Sequence, residues 1–150
     1  MPEIVVSLLL GNEAEKDLKK LEKKVVDKLF TNFIRPLLLG YAKDHLEGKY
    51  KPSWELPTSD CSPFRNAFAR SYRENNLYHY HFGYPIYIEG KDPNYPGKVS
   101  DGIVHTVYQE SNSSVAMKQC HKIFHIDLTH PSPFKVPNTF NQNYSPFPVT

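Results

Sequence analysis

The chain has 150 residues, 18 Lys and Arg against 16 Asp and Glu, and a net charge of +2. Its length suits one domain around one core, and 39% hydrophobic with 13% aromatic residues excludes a disordered chain and points to a ring-rich core with β-structure. The small basic excess permits a nucleic-acid partner without requiring one.

Ile4 to Leu10 form an apolar run closed by Gly11-Asn12, which predicts a first strand ending at a turn, with Asn12 capping the helix that follows. The run is too short to span a bilayer and no basic segment precedes it, so it reads as neither signal nor anchor, and no membrane partner is expected. From Glu13 onward Ala14, Leu18, Leu21, Val25, Leu29 and Phe33 recur at three- and four-residue spacing, the stripe of an amphipathic helix. Lysines flank that stripe among Glu15, Asp17 and Glu22. They read either as a solvated face laced with ion pairs or as a basic surface for RNA. Pro36 bends the pattern, and a second helix is expected over Leu37 to Leu46, giving a helical hairpin. Residues 49–63, with Trp54, Ser59 and Asp60, read as a loop or cover segment, and Phe64 to Tyr72 as a short further helix.

The second half changes character. Leu77 to Tyr84, Gly102 to Gln109 and Val115 to Leu128 are rich in aromatic and β-branched residues between turn-formers, and are expected to be three strands. Pro85 to Ser100 reads as an excursion over one face. Past residue 136 the chain is rich in Pro, Asn and Phe and reads as a surface tail, so a single domain is placed at 1–136 and a tail at 137–150. The expected class is α+β, with an N-terminal strand and a helical hairpin packed on one face of a mainly antiparallel sheet whose other face is free.

Cys61 and Cys120 give neither a disulfide framework nor a CxxC knuckle, so a reducing cytoplasm is expected and no metal or cofactor is assigned. No phosphate loop, dinucleotide fingerprint or nucleophile elbow is present. The informative feature is histidine. His79, His81, His105, His121 and His125 fall in the expected strands, and His130 follows them. Alternation puts His79 and His81 on one face and Tyr78, Tyr80 and Phe82 on the other. It likewise separates His125 and Asp127 from Phe124, Ile126 and Leu128. If the apolar rows meet the helices, His79, His81, His125 and Asp127 emerge together on the free face. The middle strand has two equally apolar faces; burying Ile103, His105 and Val107 would leave His105 in the core and aim Tyr108 at the site.

Imidazoles beside a carboxylate suit metal-free RNA cleavage, which needs a base for the ribose 2′-hydroxyl and an acid for the departing 5′-oxygen. The catalytic candidates are thus His79, His81, Tyr108, His125, Asp127 and His130. Tyr108 would stack a splayed base, and Lys19, Lys23, Arg70, Arg73, Lys118 and Lys122 are the candidate RNA contacts. Two other readings remain open. His79-x-His81 followed by Glu89 could hold a metal in a cupin-like barrel, and the aromatic face could be a non-catalytic binding module.

The opening strand, the helix Ala14-Glu15-Lys16-Asp17-Leu18-Lys19-Lys20-Leu21 and a later meander ending near His130 resemble the RelE/ParE toxin superfamily, in its YafO-like or HigB-like branches. The similarity spans most of Glu3 to Val136. It implies a RelE-like fold and the toxin of a type II toxin–antitoxin pair. Such a toxin cleaves mRNA, often on the ribosome, by metal-independent 2′-hydroxyl attack and is held silent by an antitoxin protein. By the same resemblance His130 matches a C-terminal catalytic histidine, and His79 and His81 lie where second-strand acid–base groups occur. Many relatives grip phosphate with an arginine on the third strand, yet Ile103 to Gln109 contains none, and the nearest arginines are Arg65, Arg70 and Arg73. The ParE-type branch poisons gyrase without cutting RNA, so the fold alone does not decide the chemistry.

Overall fold

A computed structural model describes residues 3–55, 63–91, 94, 95, 97–129 and 136–147. The protein is α+β, with helices packed on an open six-stranded sheet of order β2-β3-β4-β5-β1-β6. The strands are β1 (Glu3–Gly11), β2 (Tyr50–Pro52), β3 (Leu77–His81), β4 (Ile103–Asn112), β5 (Ala116–Asp127) and β6 (Tyr144–Pro146). β3, β4 and β5 form the expected antiparallel meander, and β1 adds to β5 in parallel. Open edges at β2 and β6 set aside the cupin-like barrel, which would close its sheet.

The amphipathic stripe is real, but the helix is segmented. α1 (Asn12–Lys20) stops at Leu21 and Glu22, both extended, before α2 (Lys23–Leu29) begins. No glycine or proline marks this break; it lets Ala14 in one segment and Val25 and Leu29 in the next all bury against the same core. Pro36, expected to bend the helix, is instead absorbed. Residues Phe30–Ile34 make a π turn, in which the Arg35 N–H reaches back to Phe30 O, and α3 (Arg35–Leu38) continues from it. A widened turn relieves the clash of a proline ring with the carbonyl four residues earlier. The chain then turns at Gly40 (φ 92°), so the predicted helix over 37–46 is reduced to α3 and a 3-10 turn at Lys43–His45.

Asn12 does not cap α1. Its Oδ1 accepts the Asn143 N–H at 3.0 Å, while Gln142 Oε1 accepts the N–H groups of Glu13 and Ala14 at 2.9 and 3.2 Å. The cap therefore comes from the far end of the chain, through a segment that reads as a surface tail in sequence. That segment also supplies β6, paired with Leu9 to Gly11, and buries Phe147 in the main core.

The main core lies between the helices and one sheet face. It joins Leu8, Leu10, Ala14, Val25, Leu29, Phe33, Ile34 and Leu37 to Tyr80, Phe82, Val104, Ile123 and Ile126. A second cluster lies on the opposite face, where Tyr72 of α4 (Pro63–Glu74) and Val136 pack on Leu77 and Phe124. This face, expected to be free, also packs Phe140 and Tyr144, and Pro85, Ile86, Ile88 and Val99 enclose a cavity with His79 and His81 on it.

Candidate functional site

Cross-strand register writes the site onto this second face. His79 pairs with His105 and His105 with His125, a row of three imidazoles across β3, β4 and β5. In the next row His81 pairs with Ile103 and Ile103 with Asp127. The alternation read from sequence thus brings His79, His81, His125 and Asp127 together, opposite the Tyr80 and Phe82 side.

His79 and His81 are 6% and 5% exposed, their ring centroids 5.6 Å apart. Each Nδ1 is held by a segment outside β3. Ser53 Oγ lies 2.9 Å from His79 Nδ1. His81 Nδ1 is 2.8 Å from the Ser100 carbonyl oxygen and 3.1 Å from its N–H, so the same main-chain group can hold this nitrogen in either tautomer. The approach is tight behind His81. A side chain at Gly48 would strike the His81 carbonyl, and the Tyr87 hydroxyl donates to that carbonyl at 2.8 Å. Beside the two rings opens a cavity of about 630 Å³, lined also by Lys49, Lys51, Pro85, Ile86, Ile88, Val99, Ser100 and Asp101.

Adjacent to this cavity is a carboxylate bridge. Asp127 Oδ2 meets His105 Nε2 at 2.6 Å and its Oδ1 meets His125 Nε2 at 3.0 Å, while Asp17 of α1 approaches His125 Nδ1 at 3.6 Å. Burial alone would raise the Asp127 carboxyl, but the hydrogen bonds from His105 and His125 hold it well below the usual carboxylate range. The Asp127 hydrogen bond in turn raises His125 above an ordinary imidazole, against the opposing effect of burial.

Several expected site residues lie elsewhere. Tyr108 faces the helix side, 4% exposed, its hydroxyl donating to Glu110 at 2.8 Å and its ring 4.9 Å from His121. His105 takes the opposite course and joins the histidine row. Both corrections have one cause. β4 is central and buried on both faces, so only its register with β3, which sets Tyr80 beside Val104, fixes its phase. Phe124 also changes sides, because the ladder shifts register between His105 and Thr106, placing Phe124 with Leu77.

Lys19 and Lys23 are exposed on the helices, at 3.7 Å from Glu15 and 3.2 Å from Asp27. Arg70 and Arg73 are exposed on α4, and Lys118 is exposed on β5. Lys122 lies over the Tyr144 ring at 5.7 Å and lines a separate cavity of about 290 Å³. None of these six lines the His79 cavity. His130 lies outside the described residues.

The cations that do line the cavity, Lys49 and Lys51, were hidden in a segment whose prolines argue for a loop. The Lys-Tyr-Lys alternation was the available signal, since Tyr50 is buried in the core while its neighbours turn to the other face. Among the described residues no group of three or more His, Cys, Asp or Glu is arranged to hold a metal ion, and no helix is long and apolar enough to cross a membrane.

Comparison of the chain with protein-family models, with curated proteins and with solved structures finds no match. The class that fold and site define is therefore an α+β protein with a histidine-floored, lysine-lined cavity on one face of an open sheet.

Proposed function

We propose that this chain is a metal-independent endoribonuclease of the toxin type, acting in the cytoplasm on mRNA, free or on the ribosome, and restrained by an antitoxin protein. The observation that carries the reading is the pair His79 and His81, 5.6 Å apart in the floor of a cavity that also carries Lys49 and Lys51. Two imidazoles at this spacing can bracket one phosphodiester. One, neutral, takes the proton of the ribose 2′-hydroxyl as the 2′-oxygen attacks phosphorus; the other, protonated, gives its proton to the 5′-oxygen as the P–O5′ bond breaks. The products are a 2′,3′-cyclic phosphate and a 5′-hydroxyl. Lysine ammonium groups offset the charge that gathers on the phosphorane. Ser53 at His79 Nδ1 and the Ser100 main chain at His81 Nδ1 orient the two rings for this exchange.

The reading is tested by incubating the protein with a single-stranded RNA in excess chelator, beside a copy carrying 2′-deoxy sugars. Cyclic-phosphate ends on the RNA alone, falling roughly 10²- to 10⁴-fold in His79→Ala or His81→Ala, are expected. Cleavage of the deoxy copy, or full activity in both variants, would overturn it. In cells, induced expression should arrest growth with new transcript ends; arrest with intact RNA would move the protein to the gyrase-poisoning class.

A further inference from the structure

The cavity over His79 and His81 has two walls of different chemistry. One is built from the β2–β3 side and carries Lys49, Lys51 and the imidazoles; the other comes from the loop segments after β3 and before β4, which contribute Pro85, Ile86, Ile88 and Val99. Ile86 and Ile88 are 64% and 57% exposed, an open aliphatic ledge pinned by the Ile88–Val99 bridge. Among the described residues, the carboxylate on this wall is Asp101. It is exposed and, among the described residues, makes no ion pair or hydrogen bond, although two lysines line the same cavity.

A carboxylate in a cavity that takes a phosphodiester is repulsive unless it faces something other than phosphate. The rest of a nucleotide offers an apolar plane, which the ledge can cover, and an edge of hydrogen-bond donors, which an acceptor-only carboxylate can bind. Guanine alone among the four bases presents two adjacent donors there, N1–H and the N2 amino group, matching the two oxygens of one carboxylate. Adenine and cytosine offer one amino group beside an acceptor, and uracil one N–H between two acceptors.

We propose that the loop wall is a guanine subsite, in which Ile86 and Ile88 cover the base and Asp101 accepts from N1–H and N2–H. The proposal rests on the ribonuclease reading and names the nucleotide that this site selects. The cavity, about 630 Å³, lies within the range of about 300–1,000 Å³ of pockets that enclose small ligands. Asp101 also follows Ser100, whose main chain holds His81 Nδ1, so base recognition and imidazole placement share one stretch of backbone.

The experiment is equilibrium binding of 3′-GMP, 3′-IMP, 3′-AMP and 3′-CMP to the full chain, wild type and Asp101→Asn, with the imidazole resonances of His79 and His81 followed by NMR. Wild type should prefer 3′-GMP over 3′-AMP and 3′-CMP by roughly 10- to 100-fold, a bidentate base contact's usual discrimination. 3′-IMP, which lacks the N2 amino group, should fall between them. Asp101→Asn should lose the preference while both imidazoles still respond to the 3′-phosphate. Equal affinity for all four, or a guanine preference that survives in Asp101→Asn, would overturn the subsite. The same preparation incubated with RNA separates the two ideas: guanine-selective binding without cleavage overturns the ribonuclease reading alone, and cleavage without base preference overturns the subsite alone.

Discussion

His105 Nε2 and Asp127 Oδ2 stand 2.6 Å apart between β4 and β5, and the His105 ring is fully buried. The other Asp127 oxygen holds His125, so one carboxylate ties two imidazoles that neighbour each other in the same row. Removing its charge with Asp127→Asn should destabilise the fold by about 2 kcal/mol. That is below the roughly 3–5 of a fully buried pair, because Asp127 keeps 27% of its side chain exposed.

The pH dependence of that difference has a defined sign. Asp127 is depressed by its histidine bonds, so its contribution is present above the unfolded carboxylate value of about 3.9 and is lost as pH falls through the folded one. His125 is raised by Asp127, so its contribution is present below about 6.5 and is lost as pH rises through its folded value. The gap between wild type and Asp127→Asn in denaturant unfolding should therefore be widest between about pH 4 and 6.5 and shrink on both sides. A gap that does not vary with pH would mean the bridge carries no charge.

His121 is expected to behave in the opposite sense to His125. It is fully buried on the helix side, with Tyr50 Oη 2.9 Å from Nδ1 and no hydrogen-bond partner for Nε2 among the described residues. Burial, with the Lys43 ammonium adding to it, lowers this imidazole to about 3. The unfolded chain then binds the proton more tightly, so stability falls as pH drops below about 6.5, by roughly 2 kcal/mol between pH 7 and pH 5. His121→Leu should flatten that part of the stability profile, leaving Tyr50 its hydrogen bond with Thr106. Parallel profiles for the two proteins would show that His121 takes up its proton without unfolding.

Gln142 closes the helix start from a distance of nearly the whole chain. Its Oε1 accepts from Glu13 and Ala14 while its Nε2 donates to the carbonyls of Thr139 and Phe124. Gln142→Ala should cost about 1 kcal/mol, the usual value of a lost N-cap, and speed hydrogen exchange at the Glu13 and Ala14 amides. Gly11→Ala should act alike, since a Cβ there would occupy the place of the Gln142 amide. Unchanged exchange in both variants would return the cap to water.

Much of this architecture is legible in sequence wherever one face of an element is buried and the other is not. The Tyr80–Phe82 alternation gave β3 its correct phase and so brought His79 and His81 to one face, and the helical stripe of Ala14, Val25 and Leu29 found its core. Where both faces are buried the pattern has no direction. Ile103, His105 and Val107 are as apolar as Val104, Thr106 and Tyr108, which is why Tyr108 and His105 exchanged places. Non-local pairings carry no local mark at all. The ladder shift that moves Phe124, the Gln142 cap and the pairing of β6 with β1 each depend on residues far apart in the chain.

The cations show the same limit in functional form. Lysine density points to Lys19 and Lys23, but each lies near a helix carboxylate, 76% and 91% exposed, and neither lines the His79 cavity. Lys51 lines the cavity instead, its ammonium 5.3 Å from the centre of the Tyr95 ring. A lysine that neutralises one phosphate of a single strand adds about 0.7 to the slope of log affinity against log salt. Lys51→Ala should weaken binding of a single-stranded RNA and reduce that slope by about this amount, while the double change Lys19→Ala, Lys23→Ala should leave both nearly unaltered. If the slope instead falls in the helix variant and stays in Lys51→Ala, RNA runs along the helical layer, and the His79 cavity is not where the strand is held.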